Sequence, residues 1–188
     1  MKPSPVQLLR LWFEKVSVEV DPKNVAGEDA NSLGVFSFEK VILKTAVGIA
    51  EVEDARTDGH FYQVSFELIV DNKKTKKSKQ PQFCPYLISM TAFGIVRVPS
   101  AASKLAPVRD LALVNGAALL WSAMREQVAF LTSRMPPGQV LLPTVHFQDL
   151  RSDLQPKLAS DDEGSRVLGL PETNDANYGK INIEKPSA

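Results

Sequence analysis

The sequence predicts an α+β fold in which a four-stranded antiparallel sheet is followed by one long helix. Three observations predict it. Four segments between residues 7 and 97 carry apolar residues at every second position. From about residue 108 the apolar spacing changes to three and four. The two kinds of segment do not interleave, which separates an α+β chain from an alternating βαβ one.

The first strand spans residues 7–20 and contains a phase flip. Leu9, Leu11 and Phe13 share one phase, whereas Val16, Val18 and Val20 share the other. Side chains alternate across a strand, so the flip predicts a bulge or bend near Glu14–Lys15. Such a strand gives its two halves to different apolar surfaces. Residues 22–32 are polar and read as a loop. The second strand is expected over 35–52, with Phe36 and Phe38 in one phase and Val41, Leu43, Val47 and Ile49 in the other. Thr57-Asp58-Gly59 signals a turn.

The third strand, 61–71, alternates most regularly. Tyr62, Val64, Phe66, Leu68 and Val70 are separated by Gln63, Ser65, Glu67 and Ile69. That pattern belongs to a strand with one face on a core. A lysine-rich run, Lys73–Lys79, reads as a solvated hairpin tip; without interleaved aromatics it lacks the stacking residues of a single-strand nucleic-acid site. The fourth strand, about 82–97, is apolar in both phases, so both its faces need cover. Pro85 removes a ladder donor and predicts an edge or a bulge there.

Pro99 to Pro107 connects to the helical region. Val108–Val114 reads as a first helical piece, interrupted at Asn115-Gly116, and Ala117–Arg134 as the principal helix. Leu120, Trp121, Met124, Val128 and Leu131 form its stripe, widened by Leu119, Ala123 and Phe130. This arc is wider than one sheet covers, which predicts that the stripe lies at a subunit interface. Met135-Pro136-Pro137-Gly138 ends the helix. Gln139–Phe147 reads as an extended apolar segment. Residues 1–150 form one domain, and residues 151–188 read as a polar tail.

Composition excludes several function classes. The 188 residues hold 22 basic and 22 acidic side chains, for a net charge of zero, so charge gives no chain-wide argument for nucleic acid or membrane surfaces. The single cysteine, Cys84, can form neither an internal disulfide nor a multi-cysteine zinc site. No glycine-rich phosphate loop or paired metal-ligand spacing occurs, so neither cofactor nor enzymatic activity is expected. Residues 1–10 contain no apolar run ahead of a cleavage site, and no stretch is long enough to span a bilayer. A cytoplasmic protein is the expectation.

Several segments, in order, resemble the SecB-type protein-export chaperones. Asn115-Gly116-Ala117-Ala118-Leu119-Leu120-Trp121-Ser122-Ala123-Met124-Arg125-Glu126 with Leu131-Thr132-Ser133-Arg134 is similar to that family's main helix. Leu141-Leu142-Pro143-Thr144-Val145-His146-Phe147 is similar to its Leu-x-Pro-Val-Asn-Phe segment. Val6–Glu19 and Phe61-Tyr62-Gln63-Val64 resemble its first and third strands. The resemblance spans residues 5–150. It implies a SecB-like fold assembled as a dimer of dimers, a homotetramer joined through helices. It also implies an ATP-independent holdase that binds unfolded or precursor polypeptide in apolar grooves during export.

The family's acidic contacts to the SecA motor fall at Glu19, Lys15, Cys84 and Tyr86, and only Glu19 keeps its charge. The alternative is therefore a SecB-like interaction protein with one dedicated partner, such as an antitoxin, uncoupled from SecA. Candidate peptide-binding residues are aromatic or branched and lie near phase flips and element ends. Trp12, Phe13, Phe36, Phe38, Val41 and Leu43 come from the first half of the chain. Trp121, Phe130, Phe147 and Leu150 come from the second. Each also suits an ordinary core.

Overall fold

The structure, a computed structural model, describes residues 6–24, 36, 38, 40–52, 58–73 and 83–151. Four strands form one antiparallel sheet: β1 (Gln7–Val20), β2 (Lys44–Val52), β3 (His60–Val70) and β4 (Tyr86–Val98). Their order across the sheet is β1-β4-β3-β2, so β1 and β2 are its edges. One helix, α1 (Val108–Thr132), crosses a single face of this sheet. The predicted sheet and helix are thus both present.

The sequence periods explain the layers. On β4 every second residue from Tyr86 to Val98 is buried, and on β3 so are Tyr62, Val64, Phe66, Leu68 and Val70. These rows face α1, which supplies Ala112, Gly116, Ala117, Leu120, Trp121, Met124 and Val128. The helix lies over β3 and β4 and reaches the edge strands less. Among the described residues, the other face of the sheet carries no helix. Its β4 residues Leu87, Phe93 and Ile95 are half-buried, in keeping with a strand apolar in both phases.

Several boundaries differ from the sequence expectation. The second strand begins at Lys44 rather than near 35, because Lys40 takes a left-handed φ of 66° that breaks strand geometry. Phe36 contributes only an isolated parallel bridge to Val140. The helix is unbroken from Val108 to Thr132 despite Asn115-Gly116. The Asn115 side chain donates to the Leu111 carbonyl one turn back. Gly116 is there for space: a Cβ would sit 2.7 Å from Val64 Cγ2. Pro85 lies one residue before β4, where its missing N–H costs the ladder nothing, and its carbonyl accepts the Asp21 N–H at 2.9 Å. Beyond Val140, residues 141–147 carry no regular structure. Most of the Lys73–Lys79 run and residues 152–188 lie outside the described residues.

Candidate functional site

β1 pairs with β4 along its whole length, with register shifts between Leu8 and Arg10 and between Phe13 and Lys15. The second shift is the bulge that the phase flip predicts; the first has no apolar signature in the sequence. Together they decide which side chains share a face. Leu8, Leu11, Phe13, Val16, Val18 and Val20 stand opposite the helix-facing residues of β4, from Val96 to Tyr86. Without the bulge at Glu14, Val16 and Val18 would turn away from α1. The flip therefore gathers the apolar residues of both halves onto one face, where the sequence reading assigned them to two surfaces.

This helix-facing row of β1 is incompletely covered. Val16 is 39% exposed, although its direct partner Met90 is fully buried. Phe13, Val18 and Val20 pack on the core while staying half-exposed. The cause is the placement of α1 over β3 and β4, which leaves the outer strand beyond its edge. Leu120 reaches toward this side: its Cδ2 and Leu8 Cδ1 both close over Gly94, where a Cβ would lie 3.2 and 3.0 Å from them. The result is an apolar strip beside a helix, along an edge strand whose outer backbone groups have no ladder partner among the described residues.

The predicted peptide-binding residues do not converge on one groove. Phe13 lies on the strip. Trp12 lies on the opposite face, stacked on Phe93 at 5.5 Å, with the Arg10 guanidinium 5.2 Å above its ring. Phe36 and Phe38 meet edge to face at 5.2 Å ahead of β2, and Phe38 is buried. Val41, Leu43 and Leu150 pack against the core. Phe147 forms an aromatic cluster with Phe66 and Trp121, at 5.7 and 6.3 Å. These six residues serve the chain's own packing. Val16 and Val18 were missed as site residues; the bulge signal could have found them.

The helix stripe needs a correction. Leu120, Met124 and Val128 are fully buried and Trp121 is 4% exposed within one chain, while Leu131 is half-buried. Trp121 donates its indole N–H to the Pro143 carbonyl at 2.9 Å and packs on Phe66. Residues closed inside one subunit present no surface to another, so this stripe is core. The large apolar residues exposed on the outside of α1 are Leu119 and Phe130, the latter 53% exposed beneath the Arg134 guanidinium.

The positions that the resemblance aligns with the family's SecA contacts divide in the same way. Glu19 and Lys15 are exposed on the helix-free face of β1. Cys84 and Tyr86 are fully buried. The Tyr86 hydroxyl donates to the Gly138 carbonyl at 2.7 Å, joining β4 to the end of the helix. Burial pushes the Cys84 thiol up to about 11, which leaves it protonated and poorly nucleophilic at neutral pH. Among the described residues, no three His, Cys, Asp or Glu side chains gather as a metal site, and no helix is long and apolar enough to cross a membrane.

No family model matches the chain, and no curated protein matches it. Solved structures are similar at low identity, two of them as follows. One is the SecB-like chaperone Rv1957 of Mycobacterium tuberculosis in complex with a ChAD peptide from the HigA1 antitoxin. It is 13% identical, with 74% of this chain and 90% of that one covered and a TM-score of 0.39. The other is a protein of unknown function from Streptococcus agalactiae, 12% identical, with 74% and 97% covered and a TM-score of 0.42.

Proposed function

We propose that this chain is a nucleotide-independent, non-catalytic chaperone that holds unfolded polypeptide along the helix-facing edge of β1. One observation carries the reading: Val16 is exposed on a sheet face whose next strand is wholly buried. A strip such as Phe13, Val16 and Val18 suits clients of many sequences, because apolar burial is non-directional. Each client leucine or aromatic buried there contributes about 1.5–3 kcal/mol. An extended client could also hydrogen-bond to the free edge of β1, which is β-augmentation. The resemblance in Val6–Glu19 and in the helix points to the same class, working in the cytoplasm as a homotetramer.

A second reading, a dedicated partner such as an antitoxin rather than the export motor, has its own observation. Two of the four positions that would contact SecA are buried and a third is Lys15, so Glu19 alone could serve. One experiment separates the two. A chemically unfolded, aggregation-prone client is diluted into excess chaperone without ATP, and light scattering is followed. Suppressed scattering supports the general holdase. Unchanged scattering removes it and leaves only the dedicated partner.

A further inference from the structure

The outer edge of β1 lacks a ladder partner among the described residues, and from Lys15 to Glu19 its two faces differ in a regular way. Val16 and Val18 lie on the helix-facing side. Lys15, Ser17 and Glu19 lie on the other, so a cation, a hydroxyl and an anion follow at every second position. A strand that fits this edge brings two apolar residues to one face and an anion, a small polar group and a cation to the other. The chain itself carries that complement. Lys180-Ile181-Asn182-Ile183-Glu184 alternates two isoleucines with a cation, an amide and an anion. Isoleucine is β-branched and suits a pleated strand. Leu168 and Leu170 have the same spacing, but Gly169 between them weakens a strand, and Val167 and Pro171 stand where the charges are needed.

We propose that Lys180–Glu184 docks antiparallel on the outer edge of β1 of its own chain and competes with the client for the strip at Val16 and Val18; the competition rests on the reading of that strip as the client site. Opposing Ile183 to Val16 and Ile181 to Val18 sets Glu184 beside Lys15, Asn182 beside Ser17 and Lys180 beside Glu19. A slip of two residues in either direction removes both ion pairs. Parallel docking sets Lys180 on Lys15 and Glu184 on Glu19, like charge on like. The other edge strand, β2, carries Lys44 and then Ala46, Gly48 and Ala50 on its helix-free face, so it cannot match both charges. Residues 152–179 reach roughly 90 Å when extended, against a radius of gyration of about 15 Å for a domain of this size, so the connection permits the docking. Tethering raises the effective concentration of the segment, so weak contacts are enough to occupy the strip until a longer client displaces them.

The test uses the full chain with paired cysteines, equilibrated in a glutathione buffer. Lys15 is exposed, and Cys84 is fully buried and does not compete. Lys15→Cys with Glu184→Cys is expected to form an intrachain disulfide roughly fivefold in excess of Lys15→Cys with Lys180→Cys, because docking raises the effective concentration of the first pair alone. The second measurement is anisotropy of a labelled, unfolded client. The full chain carrying Ile181→Asp and Ile183→Asp is expected to bind it roughly threefold more tightly than wild type, as a strip occupied about two-thirds of the time requires. Equal disulfide yields, or covalent dimers in place of intrachain bonds, would overturn the docking. Client affinity unchanged by the two aspartates would overturn the competition. The two ideas fail separately. A wild-type chain that binds no client but forms the register-specific disulfide removes the client reading and upholds the docked segment. Client binding without a disulfide preference does the reverse.

Discussion

Asn72 shows how one residue can hold several strand ends. It takes a left-handed φ of 55°, which asparagine tolerates better than most residues. Its amide donates to Asp21 Oδ2 and the Cys84 carbonyl, both at 2.8 Å, and accepts from the Cys84 N–H at 2.9 Å. The end of β3 is thereby tied to the end of β1 and the approach to β4. Asn72→Gly keeps the backbone conformation and removes the side-chain bonds, so it should destabilise the fold by about 1–3 kcal/mol, read by chemical denaturation. Asp21 accepts from Asn24 and Asn72, and these bonds hold its carboxyl below the usual range for an aspartate. Its stabilising contribution is therefore complete above the unfolded aspartate pKa, about 3.9, and is lost as pH falls through the lower folded value. Thermal melts should show the acid-side loss of stability reduced in Asp21→Asn relative to wild type.

At the scale of elements, Gly116 decides whether α1 can approach the sheet. Helix propensity alone favours alanine over glycine by about 1 kcal/mol. The Cβ would meet Val64 Cγ2 at 2.7 Å, within a packed core. Overpacking of this kind costs typically about 1–3 kcal/mol, so Gly116→Ala should lower stability rather than raise it. The same position explains a failure of sequence reading. Asn-Gly is a local breaker signal, and nothing local reveals that the glycine makes room for a strand fifty residues away. Strand phases were legible for the opposite reason. The alternation at Tyr62–Val70 and the flip at Phe13–Val16 are local consequences of the face each residue occupies. The helix arc was read as too wide for one sheet, whereas residues 139–150 supply further cover. Phe147 and the Pro143 carbonyl close over Trp121. Of the large apolar side chains on α1, Leu119 and Phe130 are the exposed ones, available for a helix-to-helix contact. Phe130→Glu should leave the chain's own stability within about 0.5 kcal/mol, as exposed substitutions do, and weaken any tetramer seen by light scattering.

For the whole molecule, the governing feature is a mismatch between one helix and four strands. α1 lies over β3 and β4, Phe147 and Trp121 cluster on Phe66 of β3, and the edge strand β1 is left at the margin. The candidate site was only partly legible because aromatic content was a poor guide to it. Of the candidate rings, Phe36, Phe38, Trp121 and Phe147 belong to or pack against the chain's own core. Beside Phe13, the exposed strip holds smaller residues, Val16 and Val18, whose importance comes from β1 lying at an edge. That strand order depends on contacts between residues nearly eighty positions apart, which no local period encodes.

Fluorescence anisotropy of a labelled, permanently unfolded client, titrated with wild-type and Val16→Glu protein, tests this account most directly. Val16 is itself 39% exposed and lies outside the core cluster, so the variant should fold normally and bind the client roughly tenfold more weakly, equivalent to the loss of about 1.4 kcal/mol. Equal affinity for a folded Val16→Glu protein, or no binding by wild type, would contradict it.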